Sequence, residues 1–390
     1  MELTRTAYGI WSGGRFMHFG EPLEDERFLG VIRYAYDRGI RTFMTADVYG
    51  NGQGDEMVAK GLAGVPRDSY CLVGAVGHDF YEGKREGAKG YPRFTNPALR
   101  GPEKYADYLR SATEKSLGRC RTSKFDLLLL HNPDSTGYSS EAVWKGMQKL
   151  KEAGLTDRLG IAPGPANGFT LDVIHSFEKF GALIDWAMLI LNPLEPWPGQ
   201  LCLPAAEKHN VKIITRVVDY GGLFHDDVKP GHAFRQQDHR VFRPAGWVEA
   251  GRNKMEQMRS LAEKYDIAML QLSCFWNLSH QPVQSVIPTL IQEAGADAKP
   301  IETKVDELAA IGTDLRLSKI TFTPEEREML ARIGNNKGCM NLKGASASHS
   351  GEAEADHWAL RPELIEVGRR WGIDPVRDLG YTHDVQKSAA

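Results

Sequence analysis

Arg41-Thr42-Phe43-Met44-Thr45-Ala46-Asp47-Val48-Tyr49-Gly50 is the stretch on which the reading of this chain turns. It reads as a short strand ending in a polar cluster. Phe43, Thr45 and their apolar neighbours can be buried, while Asp47, Tyr49 and Gly50 emerge past the strand's C-terminal end. A carboxylate and a titratable hydroxyl two residues apart at a strand end are common raw material of an α/β active site.

Working outward, short apolar runs alternate with amphipathic ones. Thr6 to Trp11 reads as a strand, followed by the loop Ser12-Gly13-Gly14 and a helix over 23–39. That helix has Phe28, Val31, Ile32, Ala35 and Tyr36 at helical spacing and Gly39 as its C-cap. After the opening stretch come a helix over 54–62, a strand over 70–76, a long polar loop over 77–101 and a helix over 102–117. Phe125-Asp-Leu-Leu-Leu-Leu-His131 is a nearly continuous apolar run, the pattern of a parallel strand buried on both faces. Helix 139–153, strand 158–162, helix 170–180, strand 186–191, helix 200–209 and strand 211–217 follow. A second long loop covers 219–246. Helices over 250–265 and 269–278, a strand over 285–288 and a helix over 305–311 complete the pattern. Eight strands, each followed by a helix, favour a closed (β/α)8 barrel over an open sheet. No strand is followed by GxGxxG or GxxxxGK[ST], which argues against Rossmann and P-loop domains.

The chain has 390 residues, of which 42% are hydrophobic and 25% charged, with a formal net charge of -3. That balance marks neither nucleic acid nor an acidic membrane surface as a partner. No apolar run reaches the roughly 18 residues of a membrane helix, and Met1-Glu-Leu-Thr-Arg5 does not read as a signal peptide. Five cysteines without a CxxC pair point to free thiols in a reducing cytoplasm. The expectation is a cytoplasmic protein with a small-molecule substrate, with homo-oligomerisation left open. His78, His131, His225, Asp226, Asp227, His232 and His239 invite a metal reading, but no pair has the fixed spacing of a zinc motif. No metal is therefore expected.

Barrel geometry would bring Trp11, Asp47, Tyr49, His78, His131 and Arg216 to one mouth. This constellation resembles the aldo-keto reductases over roughly residues 6–335. The resemblance rests on Phe43-Met-Thr-Ala-Asp-Val-Tyr-Gly50, Phe125 to Asp134, Leu159-Gly-Ile161, Asn192-Pro-Leu194, Ile214-Thr-Arg-Val217 with Gly221-Gly-Leu223, and Ser285-Val-Ile-Pro288. It implies an oxidoreductase acting on a carbonyl or alcohol of a small sugar, polyol or aromatic substrate with NADP or NAD. Tyr49 matches the family's proton donor and His131 its partner. Trp11, Asp47, His78, Asn132 and His225 are the expected substrate contacts. Arg216, Val217, Gly222, Leu223, Pro288, Thr289, Thr303 and Glu307 are the expected cofactor contacts.

The chain also departs from the family. The catalytic aspartate is replaced by Met44 and the lysine by Ala75. The usual Ser-Asn after strand five is Ala162-Pro163, and the usual glutamine on strand six is Met188. Only Lys299 and Lys304 are placed to meet a 2′-phosphate. A lysine ammonium lowers a tyrosine pKa, so Tyr49 is expected to be a weaker acid than in the family. Two alternatives therefore stay open: the fold repurposed for elimination, epimerisation or lyase chemistry, and a non-catalytic binding protein. Residues 1–335 are read as the barrel. Residues 336–390 are read as an extension, with a polar loop over 344–355 and an amphipathic segment over 360–371, packing on the barrel mouth or a neighbouring subunit.

Overall fold

Four leucines and a histidine form the strand Leu127–His131, and all five residues are buried. In the computed structural model, which describes residues 1–85, 90–164, 169–243, 245–337 and 360–379, this strand is the fourth of eight. The others are β1 (Ala7–Gly9), β2 (Thr42–Met44), β3 (Cys71–Val76), β5 (Leu159–Ala162), β6 (Trp186–Ile190), β7 (Lys212–Arg216) and β8 (Val283–Ile287), with Leu127–His131 as β4. Every neighbouring pair is parallel, in chain order from β1 to β8. The ring closes where Thr6 bridges Val286 and the Val286 amide donates to the Arg5 carbonyl at 2.9 Å. The expected (β/α)8 barrel is the observed fold.

Two apolar layers hold it. Inside the ring, Ala7, Met44, Ala75, Leu129, Trp186 and Met188 belong to one buried cluster. Outside, the helices pack on the barrel through the opposite faces of the same strands. The helix Asp25–Asp37 shows why they do so. Phe28, Val31, Ile32 and Ala35 recur at the spacing of one helical face and are all buried. Thr323 caps the helix Pro324–Gly334 in a capping box: its amide donates to Glu326 Oε2 at 2.8 Å and its hydroxyl accepts from the Glu326 amide at 3.2 Å. Among the described residues no helix is long and apolar enough to cross a membrane.

Several boundaries shift for local reasons. The expected helix over 102–117 begins at Tyr105, after a tight turn at Pro102–Lys104. The expected helix over 139–153 is two helices, Ser135–Ser139 and Glu141–Glu152, with the Asp134 side chain capping the first. In the opening stretch only Thr42–Met44 is strand, but the amides of Thr45 and Asp47 still bond to Val73 and Ala75. The chain then coils through a tight turn, Tyr49–Gly52, in which Gly50, Asn51 and Gly52 all have positive φ.

Residues 360–379 dock on the outside of the barrel. The helix Pro362–Trp371 buries Leu364 and Val367 against the outer helix Thr170–Phe180. Arg361 pairs with Asp172, Arg370 Nε donates to Glu178 at 2.8 Å, and Trp371 Nε1 donates to Glu178 at 3.0 Å. The expectation that residues 336–390 pack on the barrel mouth or a neighbouring subunit takes in 338–359 and 380–390, which lie outside the described residues.

Leu129 is fully buried inside the ring. Leu129→Ala removes apolar contacts and opens a cavity, so a loss of about 3 kcal/mol is expected. A thermal or urea denaturation midpoint indistinguishable from wild type would contradict this packing.

Candidate active site

The C-terminal ends of the eight strands surround a cavity of about 560 Å³. Each strand contributes to its wall. Trp11 follows β1, Tyr49 follows β2, His78 follows β3, and His131 and Ala162 end β4 and β5. Met188 lies in β6, Arg216 ends β7 and Thr289 follows β8. Asn132 and Val217 also line it. Residues as far apart in sequence as Trp11 and Thr289, 278 positions, therefore meet because a closed parallel sheet points all its strand ends one way.

Tyr49 is half-buried at the start of its tight turn. The turn is locked from behind. Asp55 accepts from Thr45 Oγ1 at 2.9 Å, Ser116 Oγ at 2.8 Å and Arg119 Nε at 3.0 Å. Gly54 comes so close to Tyr49 that a Cβ there would meet the tyrosine Cβ at 2.9 Å. The Tyr49 ring stands edge-on to His131 with centroids 5.9 Å apart and stacks on Phe16 at 6.3 Å. Desolvation pushes its hydroxyl up to about 12, and the Arg216 guanidinium offsets only part of that.

The two histidines are neutral for physical reasons. Burial, reinforced by Arg93, pulls His78 down to about 3. Burial, with His78, Arg93 and Arg216 nearby, holds His131 well below the usual histidine range. Arg93 Nη1 can only donate, so the His78 Nδ1 at 2.9 Å accepts and the His78 proton sits on Nε2. The Asn132 amide at 3.2 Å must then turn its oxygen to that proton. The Nδ1 of His131 is buried without a partner among the described residues. An orphaned acceptor costs less than an orphaned N–H, so the proton belongs on Nε2. His131 is thus set up as a neutral donor.

Below these groups the floor is apolar. Met44 and Ala75 are buried in the inner cluster with Trp11 and Met188. Asp47 does not supply the missing charge. It was expected at the substrate and has an ordinary reading as an exposed acid, yet it is fully buried, outside the cavity wall, with both carboxylate oxygens unpartnered. The reason is the continued ladder bond from its amide to Ala75, which turns the side chain inward beside Asp55. Desolvation, then repulsion from Asp55, raises its pKa well above the carboxylate range, which favours the protonated form.

The wall from β7 to β8 is built differently. Asp219 accepts from the Thr289 amide at 2.7 Å and the Gly222 amide at 2.9 Å, tying the two strand-end loops together. Trp11 Nε1 donates to Thr289 Oγ1 at 3.2 Å. Arg216 gives one bond to the Pro163 carbonyl at 3.0 Å. Arg243 lies between the rings of Tyr220 and Trp247, and both its terminal nitrogens are buried with no hydrogen-bond partner among the described residues. Arg240 makes paired bonds to Asp238 and Glu293, which fastens the long loop after β7 across the mouth.

Other expected contacts lie elsewhere. His225 is buried, donates to the Thr289 carbonyl at 2.8 Å and does not line the cavity. Gly222, Leu223 and Pro288 sit behind the wall, and Leu223 is packed in the outer core. Thr303 is exposed on an outer helix. Glu307 is paired with Lys299 at 2.7 Å, and Lys304 with Asp227 at 2.6 Å, so both lysines are already engaged. Among the described residues no three histidine, cysteine or carboxylate side chains gather as a metal cage. Phe16, His18, Phe19, Asn51, Tyr91, Asp219 and Arg243 line the cavity without having been expected. Only Asp219 carried a legible signal, as an acid three residues before a glycine at a strand end.

Comparison with known proteins agrees with the fold. The model of the aldo/keto reductase family matches residues 7–298. The probable aldo-keto reductase 1 of Glycine max is 25% identical over 279 residues, covering 69% of this chain and 72% of that protein. The versiconal hemiacetal acetate reductase of Aspergillus parasiticus is 24% identical over 339 residues, covering 80% and 90%. The glycerol dehydrogenase of Gluconobacter oxydans superposes with a TM-score of 0.64 at 24% identity, covering 85% of this chain and 92% of that one. An aldo-keto reductase from Klebsiella pneumoniae in complex with NADPH superposes with a TM-score of 0.54 at 19% identity, covering 85% and 91%.

The neutral state of Asp47 has a measurable consequence. Its folded pKa is raised, so its contribution is complete below about pH 4, where the unfolded carboxyl is also protonated, and drains away as pH rises. The slope is about 1.4 kcal/mol per pH unit until the folded group ionises. Asp47→Asn should therefore gain thermal stability relative to wild type as pH is raised from 4 to 8. A stability difference that stays flat over that range would count against a buried neutral acid.

Proposed function

Because the chain belongs to the aldo/keto reductase family, we propose that it is an oxidoreductase interconverting a carbonyl and an alcohol on a small substrate with NADP or NAD, with Tyr49 as proton donor and His131 as the group that orients the carbonyl oxygen. The observation that carries this reading is the edge-on pair of Tyr49 and His131 on one cavity wall, 5.9 Å between ring centroids. A bound nicotinamide would supply the hydride.

The residues of the chain account for the rest. His131, neutral with its proton on Nε2, donates a hydrogen bond to the substrate oxygen. Tyr49, held as a phenol, gives its proton to the oxygen as negative charge develops there. An alkoxide is a much stronger base than a phenolate, so a phenol near 12 still transfers its proton downhill. Met188 on the cavity wall and the apolar cluster behind Tyr49 that contains Met44 and Ala75 make the surroundings of the reacting carbon poor in water. Trp11, Phe16, Phe19 and Tyr91 along the wall favour a flat or aromatic carbonyl compound over a heavily hydroxylated one.

The β7–β8 wall fits an anionic nucleotide. The Arg243 guanidinium lies beside the Gly221 peptide, and its two terminal nitrogens have no hydrogen-bond partner among the described residues; Asp219 is a nearby counter-charge, and an incoming anion would take up the unused donors. Arg243, the Gly221 backbone and Thr289 would hold the diphosphate. A 2′-phosphate would have to compete with Glu307 for Lys299 or with Asp227 for Lys304.

A second reading has one observation in its favour. Met44 and Ala75 leave no ion pair beneath Tyr49, so the same residues could serve proton transfer in an elimination or epimerisation, turning over substrate without net nucleotide consumption.

The test is NADH and NADPH oxidation against a panel of small aliphatic and aromatic aldehydes. Tyr49→Phe is expected to lower kcat by about 100-fold or more with nucleotide affinity little changed, whereas Arg243→Ala should weaken nucleotide binding about tenfold. Failure of either nucleotide to bind at millimolar concentration defeats the reading. Turnover measured by product formation with no nucleotide consumed would favour the second one. The pH dependence is a further check. With Tyr49 near 12, reduction should be flat from about pH 6 to 10, while alcohol oxidation should climb about tenfold per pH unit, since it needs the ionised tyrosine. An oxidation rate that levels off near neutral pH would show that another group is the base.

A further inference from the structure

Val217 lines the cavity immediately after β7, next to Arg216. Its backbone lies in the left-handed region, with φ of 58°. A β-branched residue there is a true outlier, because its Cβ crowds the backbone. Such strain persists only where surrounding structure over-determines it, and it collects at functional walls. Something must therefore hold Val217 in place.

The holding contact comes from the loop after β6. Asn192 is fully buried, and its Nδ2 donates to the Val217 carbonyl at 3.0 Å. The same carbonyl accepts the Tyr220 amide at 3.0 Å, closing the turn that leads to Asp219, Gly221 and Gly222. The other end of the Asn192 amide is equally committed: its Oδ1 accepts from the Leu194 and Glu195 amides, each at 2.9 Å. Asn192 thus makes its own loop rigid and uses that rigidity against Val217.

The loop is itself anchored from the C-terminal part of the chain. The Trp197 amide donates to Asn336 Oδ1 at 3.0 Å, and Asn336 Nδ2 donates back to the Trp197 carbonyl at 2.8 Å. Trp197 Nε1 donates to the Asp378 carbonyl at 2.8 Å, and Lys337 pairs with Asp378 at 3.1 Å. Gly334, at the end of the helix Pro324–Gly334, presses against the Pro193 carbonyl so closely that no side chain could stand there. Hydrogen bonds from Asn336 and Asp378 to Trp197, the backbone from Trp197 back to Glu195, and the bonds of Asn192 to Glu195 and Val217 therefore connect these C-terminal residues to the strained residue on the cavity wall.

We propose that Asn192 is a positioning residue, braced through Trp197 by Asn336 and Asp378, that keeps Val217 in its left-handed conformation and so preforms the Val217–Gly222 turn for the nucleotide. The C-terminal extension then acts on the site from outside the barrel. The geometry stands by itself; that the turn receives a nucleotide rests on the function proposed above.

Hydrogen exchange measured on the full chain, over the segment 214–224, provides the test, together with NADH and NADPH affinity by fluorescence. Asn192→Asp keeps the acceptor for Leu194 and Glu195 but loses the donor to Val217. It should speed exchange in 218–222 about tenfold and weaken nucleotide binding about fivefold, with the β7 amides still protected. Asn336→Ala should move the same amides in the same direction by a smaller factor. Adding Val217→Asn to Asn192→Asp should restore much of both, since asparagine tolerates the left-handed region; a merely local role for Asn192 would give no such rescue. Unchanged exchange in 218–222, or no rescue, overturns the proposal. If exchange responds and is rescued but wild type binds neither nucleotide, the positioning role stands and the oxidoreductase reading falls.

Discussion

The hydrogen bond from Val286 to Arg5, with the bridge between Thr6 and Val286, is the constraint on which the rest depends. A parallel sheet of eight strands left open would expose a row of unpaired donors and acceptors at each edge. Once β8 meets β1 the edges vanish, the strands tilt around a common axis, and eight C-terminal ends face one small space. Trp11, Tyr49, His78, His131, Arg216 and Thr289 become neighbours through that closure alone. The apolar interior, with Leu129, Trp186 and Met188, then supplies the floor against which Tyr49 and His131 are desolvated.

Desolvation is the dominant electrostatic force in this site. It raises Tyr49, lowers His78 and His131, and keeps Asp47 protonated. The family pattern would temper that with a buried aspartate and lysine below the tyrosine. This chain has Met44 and Ala75 there, and Arg216 is the one cation that offsets the shift at Tyr49. The result is a site of neutral donors, suited to giving a proton to a developing alkoxide and poorly suited to taking one away. On the opposite wall the balance is reversed. The terminal nitrogens of Arg243 have no hydrogen-bond partner among the described residues, with Asp219 as a nearby charge, while Arg240, Lys299 and Lys304 are each paired directly with a carboxylate. Under the function proposed above, the two walls would divide the chemistry between a reacting centre of buried neutral groups and an arginine-bearing wall for the nucleotide.

The tight turns at the strand ends are held from outside the cavity. Asp55 and Arg119 fix the Tyr49 turn, and Asp219 joins the β7 and β8 loops. Asn192 holds Val217 against its own conformational preference. In each case a buried polar side chain whose hydrogen bonds are satisfied converts the rigidity of an outer element into the position of a wall residue.

The sequence by itself determined the barrel. The alternation of buried runs such as Leu127–His131 with amphipathic helices such as Asp25–Asp37 is a periodic signal, and periodicity survives without knowledge of contacts. Tyr49, His131, His78, Asn132, Trp11, Arg216, Val217 and Thr289 were legible because strand-end residues share one mouth in this fold. Asp47 and His225 were misplaced, because which way a side chain turns after the last ladder bond depends on neighbours distant in sequence. Arg243, Phe16 and Tyr91 come from long loops with no periodicity, so only the folded chain brings them to the cavity. The engagement of Lys299 and Lys304 by Glu307 and Asp227, and the strain at Val217 answered by Asn192, were decided by tertiary structure alone. Ion pairing, burial and backbone strain are properties of a surrounding, and that surrounding exists only once the ring has closed.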